Sequence, residues 1–470
     1  MFLRRPALAL PEDFLFGVAC SDHQCEASDD PCHVDDIWDD WEKRTGRTPR
    51  GQATDFWDRC REDVSRASVM GCRAFRFSIS WARVEPEPGH FSPEAIEHYV
   101  ELAEHIKEVG MEPIVTLMHF VWPMHIEKRG GLLSPEFPSW FREYARQVRS
   151  KLDRHVRYWL TFNEPNMLIF GFFKPWWLPS AISPPGISAD VAALIRNLFL
   201  AHKEARTALR DGPGGEKNLV SANTYHFGLP PFLRDFIDRN ITAPKWLGKE
   251  EEWRFEQSRQ AMERPLWEKR IPQFLRDLLD SFWKTRSILF TFIASSWWYL
   301  GMLGRLPEFL CPPDCRDQCD YVAFDYYFGI RSLAPYRIPQ LLAAIQRRFD
   351  KAPIWPDGLY DALLYYHKLF PGKQILIAEN GIVDGHEGNK RPAYIKAHVR
   401  RVQQARWAGV NVIGYLVWSL TSNREWGLPF GPESDFGLYH IDLDNDPNLT
   451  RSETPAVNVY QKIISQDGVS

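Results

Sequence analysis

Short apolar runs of strand length recur along the chain, separated by segments in which apolar residues repeat at helical spacing. One such segment, PEAIEHYVELAEHIKEVG (93–110), ends on a glycine, which is a typical helix stop. We predict a strand for each apolar run and helices between them. The runs occupy residues 14–20, 73–79, 112–117, 158–163, 219–225, 320–327, 374–380 and 412–419.

Alternation of strand and helix indicates parallel strands, because parallel pairing requires a crossover between neighbours. Eight repeats of this kind predict closure into a (β/α)8 TIM barrel, an α/β fold. An open doubly wound sheet is the alternative, but no glycine-rich phosphate loop follows the first run. We therefore predict a single barrel domain over residues 1–470, with an apolar and basic insertion at 226–318 before the sixth strand.

The C-terminal ends of the predicted strands carry polar and aromatic side chains that could bind a substrate or take part in catalysis. In a barrel of this type the active site forms at that end. A solvated strand end would account for one or two such residues, but not for a polar or aromatic group at every end. In chain order the runs finish near Gln24, Arg76, His119, Asn163 and Glu164, Asn223, Asp325 to Tyr327, Glu379 and Asn380, and Trp418.

Two motifs place a glutamate beside an asparagine at the end of an apolar strand. TFNEP (161–165) contains Glu164 after the fourth run, and ILIAENG (375–381) contains Glu379 in the seventh. Barrel closure brings these strand ends together. Two facing carboxylates are what glycoside hydrolysis requires, one as a proton donor and one as a nucleophile or base. The structural alternative for either glutamate alone is an ion pair with a buried arginine, such as Arg76.

Composition limits the classes of molecule that the protein is expected to bind. The net charge is −4 and no long basic run occurs, so nucleic acid is not expected to bind. The 19 tryptophans and 16 tyrosines suit stacking on the apolar faces of sugar rings, although aromatic residues also fill cores. The apolar stretch in MFLRRPALALPEDF (1–14) is too short for a signal peptide, and we expect a cytoplasmic location.

Cys311, Cys315 and Cys319 recur every four residues in CPPDCRDQC. We interpret this segment as a proline-broken loop with free or incidentally paired thiols. A zinc site is the alternative, but it would more typically show Cys-x2-Cys pairs with further ligands. We expect neither a metal nor a cofactor.

Several blocks together resemble glycoside hydrolase family 1, the β-glucosidase family, from about residue 11 to 463. The resemblance implies the barrel fold and no cofactor. The matching blocks are PEDFLFGVACSDHQCE (11–26), RAFRFSISWARVEPEPG (73–89), VTLMHF (115–120), LTFNEP (160–165), FDYY (324–327), LIAENG (376–381), GYLVWSL (414–420), NREWG (423–427) and FGLYHIDLD (436–444).

The resemblance implies a retaining double displacement, in which Glu164 is the acid/base and Glu379 the nucleophile. Carboxyl groups about 5–5.5 Å apart are required for that mechanism. Arg76 would hydrogen-bond Glu379 and keep it ionised, since a neighbouring cation lowers a carboxylate pKa. Tyr327 matches the tyrosine that contacts the nucleophile. The expected substrates are β-glucosides, with β-galactosides and β-fucosides as alternatives.

The resemblance also implies a sugar-binding set and its selectivity. Because Glu425 is kept, a neutral sugar is expected rather than a 6-phosphosugar, and because Glu164 is kept, O-glycosides are expected. The set comprises Asn163 at the 2-hydroxyl, Gln24 and His119 on the 3-hydroxyl side, Glu425 and Trp426 at hydroxyls 3, 4 and 6, and Trp418 as the apolar floor.

Two positions depart from the family pattern. Asp325 stands in FDYY where the family usually has asparagine, so a third acid is expected near the pair. If ionised, Asp325 would raise the pKa of Glu164, and the alternative is that it bonds Arg76. Phe120 stands where a tryptophan usually follows the histidine.

Residues 287–304, SILFTFIASSWWYLGMLG, carry no charge and lie between Arg286 and Arg305. This stretch just reaches the length of a bilayer-spanning helix, but a spanning helix inside a closing barrel is topologically implausible. A buried outer helix is one interpretation. The other is an apolar surface that contacts a membrane or receives an apolar or lipid aglycone.

Finer motifs leave an alternative function open. HF in place of HW, KRPAY after the nucleophile, and NREWG are similar to the archaeal and plant galactolipid-remodelling branch of the family. The alternative is therefore a membrane-surface glycolipid glycosidase or transglycosylase that uses the same glutamate pair. A non-catalytic glycan-binding protein is a further alternative, against which the presence of both Glu164 and Glu379 argues. The sequence does not fix the oligomeric state.

Overall fold

The computed structural model describes residues 9–168, 187–230, 318–331, 339–340, 343 and 347–469. The apolar stretch 287–304, Cys311 and Cys315 lie outside these residues, as does the insertion 226–318 except for 226–230 and 318. The predictions made for them, and the single-domain assignment, stay predictions. Cys319 is buried, and its Sγ lies 3.7 Å from Nε2 of His202.

Eight parallel strands form a closed barrel in sequence order, which confirms the predicted fold class. Closure is made by the first and last strands, which pair in register from Leu15 opposite Gly414 to Ala19 opposite Trp418. The predicted runs agree with the observed strands to within two residues at each end. The strands are Leu15–Ala19 (β1), Ala74–Ser78 (β2), Glu112–Met118 (β3), Tyr158–Asn163 (β4), Leu219–Tyr225 (β5), Val322–Asp325 (β6), Ile375–Asn380 (β7) and Val412–Trp418 (β8).

Helices lie between the strands, and Tyr439–His440 (β9) and Ser452–Glu453 (β10) form a small antiparallel pair. The α-helices are Asp22–Cys25 (α1), Ile37–Thr45 (α2), Phe56–Val69 (α3), Trp81–Val84 (α4), Pro93–Glu108 (α5), Met124–Lys128 (α6), Phe137–Leu152 (α7), Ile187–Arg210 (α8), Pro356–Leu369 (α9), Lys390–Trp407 (α10) and Pro455–Ser465 (α11). Short 3-10 helices occupy Gly131–Leu133, Gly215–Lys217 and Phe349–Lys351. Among the described residues, no helix has both the length and the apolar character needed to cross a bilayer.

Helix α5 shows how local sequence sets these elements. The Ser92 hydroxyl accepts a hydrogen bond from the Ala95 amide, and Pro93 fills the first turn, where its missing N–H costs nothing. Beyond the helix, Gly110 takes a left-handed conformation at φ 84°, which suits glycine. The buried face, which includes Tyr99 and Ile106, packs toward the barrel.

The barrel interior and its outer layer have separate apolar clusters. A smaller cluster of strand side chains fills the interior, with a larger one between the strands and the helices. The interior cluster lies below the C-terminal strand ends, so it supports the side chains that project there. Its buried members are Ala74, Ile114, Tyr158, Leu160, Tyr321, Ala323, Leu376, Ala378 and Leu416.

A fully buried ion pair ties α3 to the segment before β10. Arg451 donates through Nε and Nη2 to the Asp63 carboxylate at 3.0 and 2.9 Å, and neither side chain is exposed. Replacing Arg451 with methionine leaves the buried Asp63 carboxylate with only a longer contact, at 3.4 Å from Nη1 of Arg66, so we expect the free energy of unfolding to fall by up to about 3–5 kcal/mol. Urea unfolding followed by tryptophan fluorescence measures this change.

The matched control is Arg146→Met, which breaks a surface pair with Glu143 whose side chains are 57% and 43% exposed. Exposed pairs contribute little, so a loss of less than about 1 kcal/mol is expected there. Equal losses in the two variants would contradict a special role for the buried pair.

Candidate active site

Glu164 and Glu379 meet at the C-terminal end of the barrel. Glu164 directly follows β4, and Glu379 lies within β7. Both are buried, with 7% and 3% of their surface exposed. One carboxylate oxygen from each lies within 4.8 Å of the other, and an oxygen of Asp325, the last residue of β6, lies within the same distance of both. Three acids therefore share one small volume.

The backbone at Glu164 is held in an uncommon conformation. Its φ of 37° lies in the left-handed region, which costs a non-glycine residue about 1–3 kcal/mol. The Glu164 amide donates a hydrogen bond to the carbonyl of Asn223 at 2.8 Å. This bond anchors the turn on the neighbouring strand β5, so the strain serves to aim the carboxyl into the site.

The Glu379 carboxylate is fixed by one cation and one hydroxyl. Arg76 Nη1 lies 2.5 Å from Oε1, and the Tyr327 hydroxyl donates to Oε2 at 2.5 Å. Both oxygens are thus oriented before any substrate enters, which suits a nucleophile.

The pKa of Glu379 is shifted in the direction opposite to the one expected from the sequence. Burial raises this pKa, and although Arg76 and Tyr327 oppose the rise, the pKa stays above the usual range for a glutamate. The Arg76 contact is present, but desolvation of a carboxylate with 3% exposure outweighs it. Arg76 therefore limits a rise in the pKa instead of producing a net fall.

Glu164 has the electrostatic character of a proton donor. Burial raises its pKa well above the ordinary value, and the charges of Asp325 and Glu379 raise it further, while Arg76 opposes them. Both pKa values are raised, but Glu379 is held by a cation and a hydroxyl that favour its charged form, so Glu164 suits the acid and Glu379 the nucleophile.

Arg76 organises the floor of the site. Its guanidinium donates to Thr116 Oγ1 at 2.9 Å and to Asn163 Oδ1 at 2.8 Å, besides Glu379. Within the part of the chain that the structure describes, it makes no hydrogen bond to Asp325. The alternative in which Asp325 bonds Arg76 is therefore wrong, because the fork of the guanidinium is taken up by these neighbours.

A second group of side chains lies beside the acids and contains the predicted sugar ligands. Gln24, in α1, donates through Nε2 to Glu425 Oε1 at 3.4 Å, and Trp418 Nε1 donates to the same oxygen at 3.4 Å. Burial raises the pKa of Glu425 to about 7, against the charge of Arg347 and the bonds from Trp418 and Gln24. These groups offer several acceptors and donors to sugar hydroxyls.

His119 joins the two groups. It follows β3, and its Nε2 lies 3.1 Å from Nδ2 of Asn163. Its ring stacks against Trp418 at 5.5 Å and Trp426 at 5.9 Å. Burial and then the charge of Arg76 lower the pKa of His119 well below its usual value, so the ring is neutral and can accept or donate a hydrogen bond. The structure thus brings every predicted site residue to one face.

Sequence reasoning missed residues that support this face. Asn223 donates from Nδ2 to Asn163 Oδ1 at 2.6 Å and to Asp325, linking β4, β5 and β6. Its position at a strand end was the available signal. His23 also stacks on Trp426, 5.5 Å away, and lies 2.8 Å from Asp36.

Burial would lower the pKa of His23, but the Asp36 carboxylate raises it to about 10. His23 is therefore a cation at neutral pH, and its contact with the Trp426 ring is favourable. No sequence pattern pairs these two residues with the tryptophan, because the contact depends on how the loops pack.

Gly381 sets the spacing between β7 and β8 at the site. A Cβ at this position would collide with the carbonyl oxygen of Trp418. The absence of a side chain therefore lets the chain after Glu379 pass close to the predicted sugar floor.

The acidic clusters among the described residues contact arginine side chains. Glu379 contacts Arg76 in the cluster with Glu164 and Asp325, and Arg50 lies 2.9 Å from Asp39 in the cluster near His23. A guanidinium occupies the position of positive charge in each, so we assign no metal to them.

Comparisons with known proteins agree with this geometry. The sequence model "Glycosyl hydrolase family 1" matches residues 7–232 and 344–469. The chain is 27% identical to "Beta-glucosidase 21" of Arabidopsis thaliana, over 97% of this chain and 90% of the relative. It is 26% identical to "Beta-glucosidase A" of Thermotoga maritima, over 98% of each.

A solved structure supports the fold alone. "Beta-glucosidase from Thermotoga maritima in complex with deoxynojirimycin" superposes with a TM-score of 0.71 at 22% identity, covering 98% of this chain and 100% of that one. The family match spans most of the chain, including the segments that carry both glutamates. The protein therefore belongs to glycosyl hydrolase family 1 and is a glycoside hydrolase.

Proposed function

We propose that the protein is a retaining β-glucosidase that hydrolyses O-linked β-glucosides of small molecules, with Glu379 as nucleophile and Glu164 as acid/base. The observation that carries the mechanism is the approach of the two carboxyls to within 4.8 Å. Retaining enzymes have carboxyls about 5–5.5 Å apart, whereas inverting enzymes need about 6.5–9.5 Å to admit a water molecule. An oxygen-to-oxygen approach within 4.8 Å fits the retaining spacing.

In the first step the Glu379 carboxylate attacks the anomeric carbon and the bond to the aglycone oxygen breaks. Glu164 transfers its proton to that oxygen, so the aglycone leaves as an alcohol and an α-linked glycosyl ester remains on Glu379. Arg76 and Tyr327, both 2.5 Å from Glu379, orient the attacking carboxylate. The raised pKa of Glu164 keeps the proton available near neutral pH.

In the second step Glu164, now a carboxylate, removes a proton from water. The resulting nucleophile attacks the anomeric carbon, the ester bond to Glu379 breaks, and the sugar is released with its original β configuration. Glu164 is again protonated and Glu379 again ionised, so both groups are restored for the next cycle.

The polar and aromatic groups beside the acids favour a neutral sugar. Trp418, His119 and Trp426 present flat rings, while Glu425 and Gln24 present hydrogen-bonding atoms between them. A carboxylate at Glu425 repels a phosphate group on the sugar, although its pKa near 7 means that it is partly protonated at neutral pH. The names of the Arabidopsis and Thermotoga relatives support glucose as the preferred sugar.

Aglycone and location are part of the same proposal. We expect a cytoplasmic enzyme that acts on soluble glycosides. The glycolipid and membrane-surface alternative depends on residues 287–304, which lie outside the described part of the chain, so no observed contact favours it.

A panel of nitrophenyl glycosides tests the proposal. The expected result is hydrolysis of the β-glucoside, slower reaction of the β-galactoside and β-fucoside, and none of the α-glucoside. Product analysis by NMR is expected to detect β-glucose before mutarotation. A β-linked glycolipid, presented with and without vesicles, is included, and vesicle flotation reports membrane contact.

Failure to hydrolyse any β-glycoside would contradict the proposal and favour the glycan-binding alternative. Binding to vesicles together with sugar transfer to lipid would instead favour the glycolipid alternative. The variant Glu143→Gln, on the exposed side of α7, serves as a control that should match the wild type.

A further inference from the structure

Glu164, Glu379 and Asp325 form a cluster of three acids, and double displacement uses only the first two. Asp325 ends β6, opposite Tyr225 of β5 and Glu379 of β7, and its side chain is fully buried. One of its oxygens lies within 4.8 Å of an oxygen of each catalytic glutamate. A buried carboxyl in this position needs a partner, because an isolated buried charge is costly.

Only half of the Asp325 carboxyl is satisfied by an N–H donor. Asn223 Nδ2 donates to Oδ2, and the same amide donates to Asn163, so Asn223 fixes the orientation of the carboxyl plane. The other oxygen, Oδ1, is buried and accepts no hydrogen bond from any N–H or alcohol group of the described residues. The Glu164 carboxyl likewise receives no such bond within the described part of the chain.

The Glu164 and Asp325 carboxyls are neighbours, with an oxygen of each within 4.8 Å of the other and a hydrogen bond between the two side chains. A carboxyl that keeps its proton is a donor, and a carboxylate beside it is an acceptor, so one proton satisfies both groups. We propose that Asp325 is the acceptor of the catalytic proton of Glu164, a positioning residue that keeps Glu164 protonated and oriented for transfer to the leaving oxygen. This inference rests on the proposed acid/base role of Glu164.

The surrounding charges fit one shared proton. Arg76 from β2 provides one positive charge to the cluster and directs it to Glu379 at 2.5 Å. Tyr327 also donates a hydrogen bond to Glu379. The side chains of Asn163 and Asn223 are neutral, and Glu425 is a further acid that raises the pKa of Glu164. No cation among the described residues contacts either member directly, so the pair of Glu164 and Asp325 is stable with one negative charge and destabilised with two.

The electrostatic directions favour one proton shared between the two carboxyls. Burial and then the charge of Glu379 raise the pKa of Asp325 well above its ordinary value, and Arg76, Asn223 and a hydrogen bond from Glu164 oppose this rise without cancelling it. The charge of Asp325 in turn raises the pKa of Glu164. Asparagine at 325 removes that charge and offers an N–H donor to the Glu164 carboxylate, so both effects lower the pKa of Glu164.

The test compares pH profiles of kcat/KM for two substrates in the wild type and in Asp325→Asn. Phenyl β-glucoside needs proton donation to its leaving group, whereas 2,4-dinitrophenyl β-glucoside does not. For the phenyl substrate we expect the alkaline limb to move to lower pH by about one unit or more in the variant. For the dinitrophenyl substrate no such movement is expected, and Asp361→Asn, which removes a partly buried acid outside the site, should shift neither profile.

Asp325→Ser removes the same charge and gives a second reading if the asparagine variant does not fold. An unchanged alkaline limb, a shift to higher pH, or equal shifts for both substrates would overturn the inference, because a structural role affects both substrates alike. If the wild type hydrolyses neither substrate, the proposed function fails and the inference falls with it. If the wild type is active and only the shift is missing, the inference alone fails.

Discussion

Replacing Glu379 with alanine is expected to lower kcat on phenyl β-glucoside by about five to six orders of magnitude, the scale on which loss of a catalytic nucleophile acts. The covalent route is lost, and a water molecule that enters the vacated space has no carboxylate beside it to activate it for attack on the anomeric carbon. Steady-state assays with purified protein measure the loss.

Azide identifies the face of attack in this variant. It fits the space vacated by the Glu379 side chain and attacks the anomeric carbon directly, so we expect partial rescue with formation of α-glucosyl azide. A β-glucosyl azide would mean that the roles of Glu379 and Glu164 are exchanged. Glu143→Ala, an exposed position on α7, controls for the effect of losing any glutamate.

Replacing Glu164 with alanine should give a loss that depends on the leaving group. For phenyl β-glucoside the first step needs the proton, so kcat/KM is expected to fall by about 10²–10⁴-fold. For 2,4-dinitrophenyl β-glucoside, kcat/KM should change little, while kcat falls because no base activates water in the second step. The comparison of both constants for both substrates measures this pattern.

Azide again separates the roles, because in this variant it attacks the glycosyl ester on Glu379 from the β face. We expect faster turnover and β-glucosyl azide as product. A loss of kcat/KM that is equal for the two substrates would contradict proton donation by Glu164.

The barrel could be predicted because each strand carries its own signal. Strands such as Tyr158–Asn163 and Ile375–Asn380 are buried on both sides, so each reads as a mainly apolar segment with polar residues at its end. Parallel pairing then leaves few topologies for alternating strands and helices. The pairing of β1 with β8 at closure follows from that count of strands.

The positions of the site residues follow from the same logic, since parallel strands bring their C-terminal ends to one face. The sequence could not predict how the cost of burying each charge balances its attraction to neighbouring charges. Arg76 contacts Glu379 at 2.5 Å, yet burial still raises the pKa of Glu379. A motif identifies partners, but the desolvation of each group depends on the packing of the whole site.

Contacts between residues of different loops could not be predicted from the sequence either. The stacking of His23 on Trp426 joins residues that are far apart in sequence, and no sequence pattern marks either this contact or the Asp36 charge that keeps His23 protonated. Asn223 was visible at a strand end, but its double contact with Asn163 and Asp325 depends on the register of β4, β5 and β6.

The most direct test of the account is to trap the glycosyl-enzyme with 2,4-dinitrophenyl 2-deoxy-2-fluoro-β-glucoside. The fluorine slows both steps, and the activated leaving group still allows the first, so the ester accumulates. Mass spectrometry of the intact chain is predicted to show one added fluoroglucosyl group, and peptide mapping to place it on Glu379. A label on Glu164 or Asp325, or no label on a catalytically active protein, would contradict the account.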